Sequence, residues 1–259
     1  MILFVGINLS TPCIKELLKR GISVTWLSKN GSYYGRLEST NQTSITKQRL
    51  QFEKSSNEKF KLDISKRFII GKTTNQRTVL LRYNRIESND NLKKYIMRMK
   101  YLISKINEIE SVEELLGIEG QIAKIYYMGI NKILIEEFKF KKRSRRPPLD
   151  PVNAVLSFGY TLLLYEIFTA VTIKGINPCC GFLHKDRENN PELCSDLLEE
   201  WRPILVDSLT ITLLNSGKLD IEHFERRDGV FLTKEGINIF IKQFEKRLRQ
   251  EVKYKEITD

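Results

Sequence analysis

Two carboxylates and one imidazole are the side chains in this sequence best suited to chemistry. His184, one of two histidines, lies in "GFLHKDRENNPELCSDLLEEWRP", and Glu199 follows it fifteen positions on, beside Glu200 and a Trp-Arg-Pro corner. Glu119 sits upstream in "GIEGQIAKIYYMG", with Gly120 directly after it. Small residues around a carboxylate leave room for an ion or a backbone to approach. If the three met at an open, polar site they would suit Mg²⁺ or Mn²⁺, with water filling the remaining positions. Such an ion polarises a phosphate oxygen and lowers the pKa of a hydroxyl or water.

Each residue also has a plainer reading. Glu119 reads as a solvated acid at a helix edge, next to an inward stripe of Leu115, Ile118, Ile122 and Ile125. His184 reads as a hydrogen-bonded loop residue, and Glu199 as a surface acid paired with Arg202 three positions later. Asp207, inside the apolar "ILVDSLTITLL", needs a partner if buried, and a nearby arginine is the expected one. A small zinc site from Cys179 or Cys180, His184 and Cys194 is a further possibility. Against it, adjacent cysteines seldom chelate together, no CxxC is present, and only three ligands are on offer. With Cys13, the four cysteines form no evenly spaced framework and no signal peptide precedes them, so reduced thiols and a cytoplasmic location are expected.

The elements that must position these groups follow from patterning. "ILFV" and "ISVTWLS" read as strands around the helix "STPCIKELLKRG", which carries Ser10 or Thr11 as N-cap, Pro12 in its first turn and Gly21 beyond its last. "YYGRLES" supplies a partner strand across a turn at Asn30-Gly31. From about Gln48 the period is helical almost throughout. The expected class is α+β, mostly α: residues 1–43 as the end of a small β-rich domain, and 44–259 as a larger helical catalytic domain. "VNAVLSFGYTLLLYEIFTAVTI" is roughly long enough to cross a bilayer and follows the basic run "KFKKRSRR". Glu166 and several polar side chains argue instead for a central core helix and no membrane. The formal net charge of +11 favours polyanions, with nucleic acid first among them.

"DPVNAVLSFGYTLLLYEI", "GINPCCGFLHKDR" and "DLLEEWRPILVDSLTITLLNSGKL" closely resemble the core of the CRISPR-associated integrase of spacer acquisition, the first of the numbered CRISPR-associated proteins. "GIEGQIAKIYY" looks like that family's Glu-Gly motif, "GKTTNQRTVLLR" like its first basic helix, and "STPCIKELLKRGISVTWLSKNGSYYGRL" like the end of its N-terminal β-domain. By resemblance, the family's metal ligands fall on Glu119, His184 and Glu199, the first of the acidic pair being preferred over Glu200. The resemblance implies an Mg²⁺- or Mn²⁺-dependent integrase and endonuclease. Its members act as homodimers with a small companion, the second numbered CRISPR-associated protein, and join DNA 3′-hydroxyl ends to the CRISPR repeat. It implies phosphate contacts for Lys185, Arg187 and Arg202, and a second DNA-facing strip at Lys141, Lys142, Arg143, Arg145 and Arg146, whose plainer reading is a solvated loop. Tyr126 is placed near the scissile phosphate, and so is Tyr165, for which core packing is the stronger expectation. The family pattern also implies strands before "ILFV" and chain beyond "EVKYKEITD". A non-catalytic DNA-binding relative and a transposon-borne integrase are the alternatives.

Overall fold

The computed structural model describes residues 1–4, 6–28, 31–39, 43–86, 89–185, 187–188 and 190–251. β1 (Ile2–Phe4) pairs in parallel with β2 (Val24–Leu27), and β2 pairs antiparallel with β3 (Tyr33–Leu37). A parallel pair needs a crossover, and α1 (Thr11–Lys19) provides it. It starts after extended Ser10 with Pro12 in its first turn, and the chain leaves it through Gly21 at φ +65. Of the expected turn, Asn30 lies outside the described residues. Gly31 is at φ +86, a backbone region suited to glycine, and Ser28 N–H donates to the Ser32 carbonyl.

The remaining α-helices among the described residues are α2 (Ile45–Ser55), α3 (Glu58–Ile86), α4 (Asp90–Ser104), α5 (Val112–Ile133), α6 (Pro151–Ile173), α7 (Glu192–Arg202), α8 (Ser208–Asn215) and α9 (Lys234–Leu248). The fold is α+β and mostly helical, as the patterning predicts. α3 packs on α4, α5 and α7, and α6 packs on α7 and its continuation. That continuation is a π-helical turn, Pro203–Asp207, which runs directly into α8. A π turn widens the backbone ladder by one residue and is often found at functional sites.

α6 is capped by Asp150, whose carboxylate accepts from Asn153 N–H at 2.8 Å, and Pro151 opens its first turn. It is the one helix among the described residues long and apolar enough to span a membrane, and half of its most apolar window is buried inside the protein. Glu166 escapes the core by facing out on the less covered C-terminal half. The sheet is fastened to that same helix. Phe4 stacks on Phe158, Tyr33 stacks on Tyr165 at 5.3 Å, and the Arg36 guanidinium lies over Phe168 while donating to Thr169 Oγ1. Tyr165 is half-buried in this packing.

Two local expectations need correction. The helical reading passes over a hairpin of β4 (Phe224–Arg226) and β5 (Val230–Leu232), although Asp228-Gly229 between "FER" and "VFL" is a hairpin signal. On α5 the buried stripe is Leu115, Ile122, Tyr126, Gly129 and Ile130, with Ile118 and Ile125 at its flanks. The stripe is rotated towards Glu119, which therefore faces α3 rather than open solvent.

Candidate active site

The inward face of α3 runs through Ser65, Phe68, Ile69, Lys72, Thr73, Gln76, Val79 and Leu80 at helical spacing. Its middle is polar where a core face is ordinarily apolar, and this marks the site. Lys72, with its side chain 2 % exposed, places Nζ in ion-pair contact with Glu119 Oε1 of α5 and with Glu199 Oε2 of α7. Two carboxylates eighty residues apart are thus aimed at one point. Arg202, one turn beyond Glu199, adds its Nη2 at 2.7 Å from the same Glu199 Oε2. That oxygen is therefore in ion-pair contact with both cations. Burial pushes the Glu199 carboxyl up, but the charges of Arg202 and Lys72 outweigh it and hold the group below the usual carboxylate range.

His184 is set by Asp196, a residue the sequence reading misses. Asp196 is wholly buried and accepts four hydrogen bonds: Phe182 N–H at 2.7 Å, Leu183 N–H at 3.0 Å, His184 N–H at 3.2 Å and His184 Nδ1 at 2.7 Å. One carboxylate therefore shapes the loop and orients the ring through Nδ1. The bond to Asp196 raises the His184 pKa above its ordinary value against the opposing effect of burial. The signal was in the sequence: Asp196 precedes Glu199 by three positions, on the same face of α7.

His184 and Glu199 line one cavity of about 620 Å³, together with Arg143, Arg145, Arg146 and Arg202. The hairpin closes part of its rim, for Val230 N–H donates to the Pro148 carbonyl at 2.8 Å. The basic segment is consequently anchored rather than loose: Asn153 Nδ2 donates to the Lys142 carbonyl, and Arg143 reaches Asn153 Oδ1 and Ser157 Oγ. Lys141, Lys142, Arg145 and Arg146 are exposed. Lys185 and Arg187 are exposed as well, Arg187 being paired with buried Glu192 at 2.8 Å.

Three expectations meet a different arrangement. Tyr126 is fully buried and its hydroxyl donates to Asp207 Oδ2 at 2.9 Å, so it has no surface to offer a DNA phosphate. Asp207 is held by tyrosines instead of a guanidinium, since Tyr160 donates to its Oδ1 at 2.6 Å. Burial pushes its carboxyl up, and the Tyr160 hydroxyl and Arg202 pull the other way. Both Arg143 and Arg202 lie over the Tyr160 ring, which ties this network to the cavity. Arg202 itself is buried on Glu199 while lining the cavity.

The arrangement gathers Glu119 and Glu199 but leaves His184 on Asp196. Among the described residues no three His, Cys, Asp or Glu side chains stand close enough to share an ion, the cysteine set with His184 included. The donor chemistry still suits a hard divalent cation: two converging carboxylates, and an imidazole that lines the same cavity as one of them. Glu200 points elsewhere, its carboxylate lying against Gly71 of α3.

A family model described as CRISPR associated protein Cas1 matches residues 1–246. The CRISPR-associated endonuclease Cas1 2 of Rhodospirillum rubrum is 36% identical over 264 residues, covering 97% of this chain and 76% of that one. Among solved structures, a CAS1 protein from Thermotoga maritima aligns with TM-score 0.82 and 26% identity over 96% of this chain and 79% of its own. A casposase bound to integration product aligns with TM-score 0.84 and 27% identity over 95% and 69%. A Cas6-RT-Cas1–Cas2 complex gives TM-score 0.85 and 26% identity, covering 98% of this chain and 28% of that chain. With its helical core, its Glu-Gly motif on α5 and its His and Glu around the α7 cleft, the chain belongs to the CRISPR associated protein Cas1 family.

Proposed function

We propose that this protein is a divalent-metal-dependent DNA integrase and endonuclease of CRISPR adaptation, joining DNA 3′-hydroxyl ends to a CRISPR repeat by transesterification. The observation that carries the reading is the convergence of Glu119 and Glu199 on a single cation position beside an arginine-lined cleft. Glu119, Glu199 and His184 Nε2 would hold the ion, Mg²⁺ or Mn²⁺. When bound, it polarises the phosphodiester and lowers the pKa of the attacking hydroxyl or water. Arg145 and Arg146 grip the DNA backbone at the mouth of the cleft, and Arg143 and Arg202 line its wall. Asp196 keeps the imidazole turned towards the reacting phosphate. The DNA 3′-oxygen forms the new bond to phosphorus as the repeat's own 3′-oxygen leaves, so that one phosphodiester replaces another. With water as nucleophile the same site cleaves DNA.

Cas2 and a second copy of the chain are the partners this reading entails, in a cytoplasmic setting. The likeness to a Cas1 in complex with Cas2 supports the first. The likeness to a casposase at an integration product supports a second reading, insertion of transposon ends by the same residues. The test is a joining assay with Mn²⁺, offering the protein, with Cas2, a short duplex and a repeat-bearing plasmid. Joined product is expected from the native chain. Glu119→Gln, His184→Ala and Glu199→Gln should each abolish joining while leaving DNA affinity intact. Full activity in all three variants would refute the mechanism, and binding without chemistry in the native chain would mark a DNA-binding relative. Joining that requires terminal inverted repeats in place of the CRISPR repeat would favour the transposon reading.

A further inference from the structure

We propose that Lys72 is an internal cation that competes with the divalent ion for Glu119 and Glu199, so that loading the site is an exchange rather than an addition. This rests on reading Glu119, Glu199 and His184 as the ion's ligands. The starting point is that the lysine Nζ stands where the two carboxylates converge. An ammonium and a divalent cation cannot share that point: at a separation of about 4 Å their repulsion is large even at the high effective dielectric of a protein. Local charge says the same. Two carboxylates face Lys72 and Arg202, a balance of two negative and two positive charges, whereas a dedicated cation cage leaves its acids unbalanced.

The fold supplies the ammonium with another acceptor. Gln76 stands one turn further along the same inward face of α3, 1 % exposed, with neither amide atom hydrogen-bonded among the described residues. Buried amides are ordinarily satisfied, and positions four apart on a helix are neighbours. Its Oε1 can take up the ammonium once the carboxylates release it. Removing the lysine charge should therefore strengthen ion binding at this site, the opposite of what loss of a ligand or of a structural prop would do.

The experiment is direct Mn²⁺ titration of the full chain, following free Mn²⁺ by electron paramagnetic resonance, with melting temperature followed in parallel. In the native protein, binding should depend on Glu119 and Glu199. Lys72→Met should bind Mn²⁺ about tenfold or more tightly, as expected for one positive charge removed beside the ion. It should melt below the native protein without Mn²⁺ and gain more from its addition. Lys72→Arg, which keeps the charge, should bind no more tightly than the native chain, and Lys72→Gln serves in place of Lys72→Met should that variant fail to fold. Equal or weaker Mn²⁺ binding in both neutral variants would overturn the exchange while leaving the ion site standing. If Glu119→Gln and Glu199→Gln leave Mn²⁺ binding unchanged, the site itself is refuted and the exchange with it.

Discussion

Replacing Asp196 with asparagine separates the shape of this residue from its charge. Its Oδ2 accepts Phe182 and Leu183 N–H, and its Oδ1 accepts His184 N–H and Nδ1. Asparagine has one acceptor oxygen, so whichever way the amide turns, its NH₂ faces two of these four donors. Two bonds to a charged, buried acceptor are lost, at about 1.5–3 kcal/mol each, so the variant should be destabilised by roughly 3–6 kcal/mol. At about 2–4 °C per kcal/mol for a chain of this size, melting should fall by roughly 6–24 °C. On the proposed mechanism, Mn²⁺-dependent cleavage should fall about 10–100-fold, the usual cost of disturbing a group that orients a ligand. pH gives a further check. The His184 pKa is raised in the folded protein, so the stabilisation from its charged pair is fully present below the unfolded value and fades as pH rises through the folded one. The stability gap between native and Asp196→Asn should therefore be wider at about pH 6 than at about pH 9. Urea titrations at both values, with cleavage assayed alongside, make the measurement. A variant within about 0.5 kcal/mol of the native protein, with the same gap at both pH values, would refute the role given to Asp196.

Two further perturbations test the surroundings. A Cβ added at Gly159 on α6 would lie 2.5 Å from Val206 and 2.7 Å from Phe240, while one added at Gly120 on α5 meets nothing within 4 Å. Gly159→Ala should lose about 1–2 kcal/mol net in denaturant melts, overpacking exceeding the helix gain, whereas Gly120→Ala should gain up to about 1 kcal/mol; equal stability of the two would contradict the packing. Arg145→Ala and Arg146→Ala should each weaken DNA binding and flatten the log–log salt slope by about 0.9, one phosphate's worth, and an unchanged slope would remove these residues from the DNA path.

What the sequence disclosed, it disclosed through period and punctuation. The strand-helix-strand-strand start and the core placement of α6 follow from local pattern, which contacts elsewhere reinforced. Glu119 and Glu199 stood out by motif, and the fold brings them together. Their immediate neighbours did not stand out, because what defines them is three-dimensional. Lys72 looks like one basic residue among many until the period of α3 puts it on the inward face. Asp196 looks like an ordinary helix acid until the 182–184 loop folds over it. The tyrosine partners of Asp207 lie 81 and 47 residues upstream, beyond the reach of spacing. The missed hairpin is different in kind, for its Asp-Gly turn was visible and was outweighed by the helical stretches on either side.

The apolar central helix also bears on how the chain is made. The sheet that stacks on one side of α6 is made before it, but α7, the π turn, α8, β5 and α9, which also pack on it, come later in the sequence, the last of them ending at Leu248. At ordinary translation rates of about 5–20 residues per second, the 75 residues from Ile173 to Leu248 take roughly 4–15 s to synthesise. For that interval a greasy segment long enough to be mistaken for a membrane anchor waits at the ribosome with only part of its cover made, open to chaperones, to targeting factors and to other nascent chains.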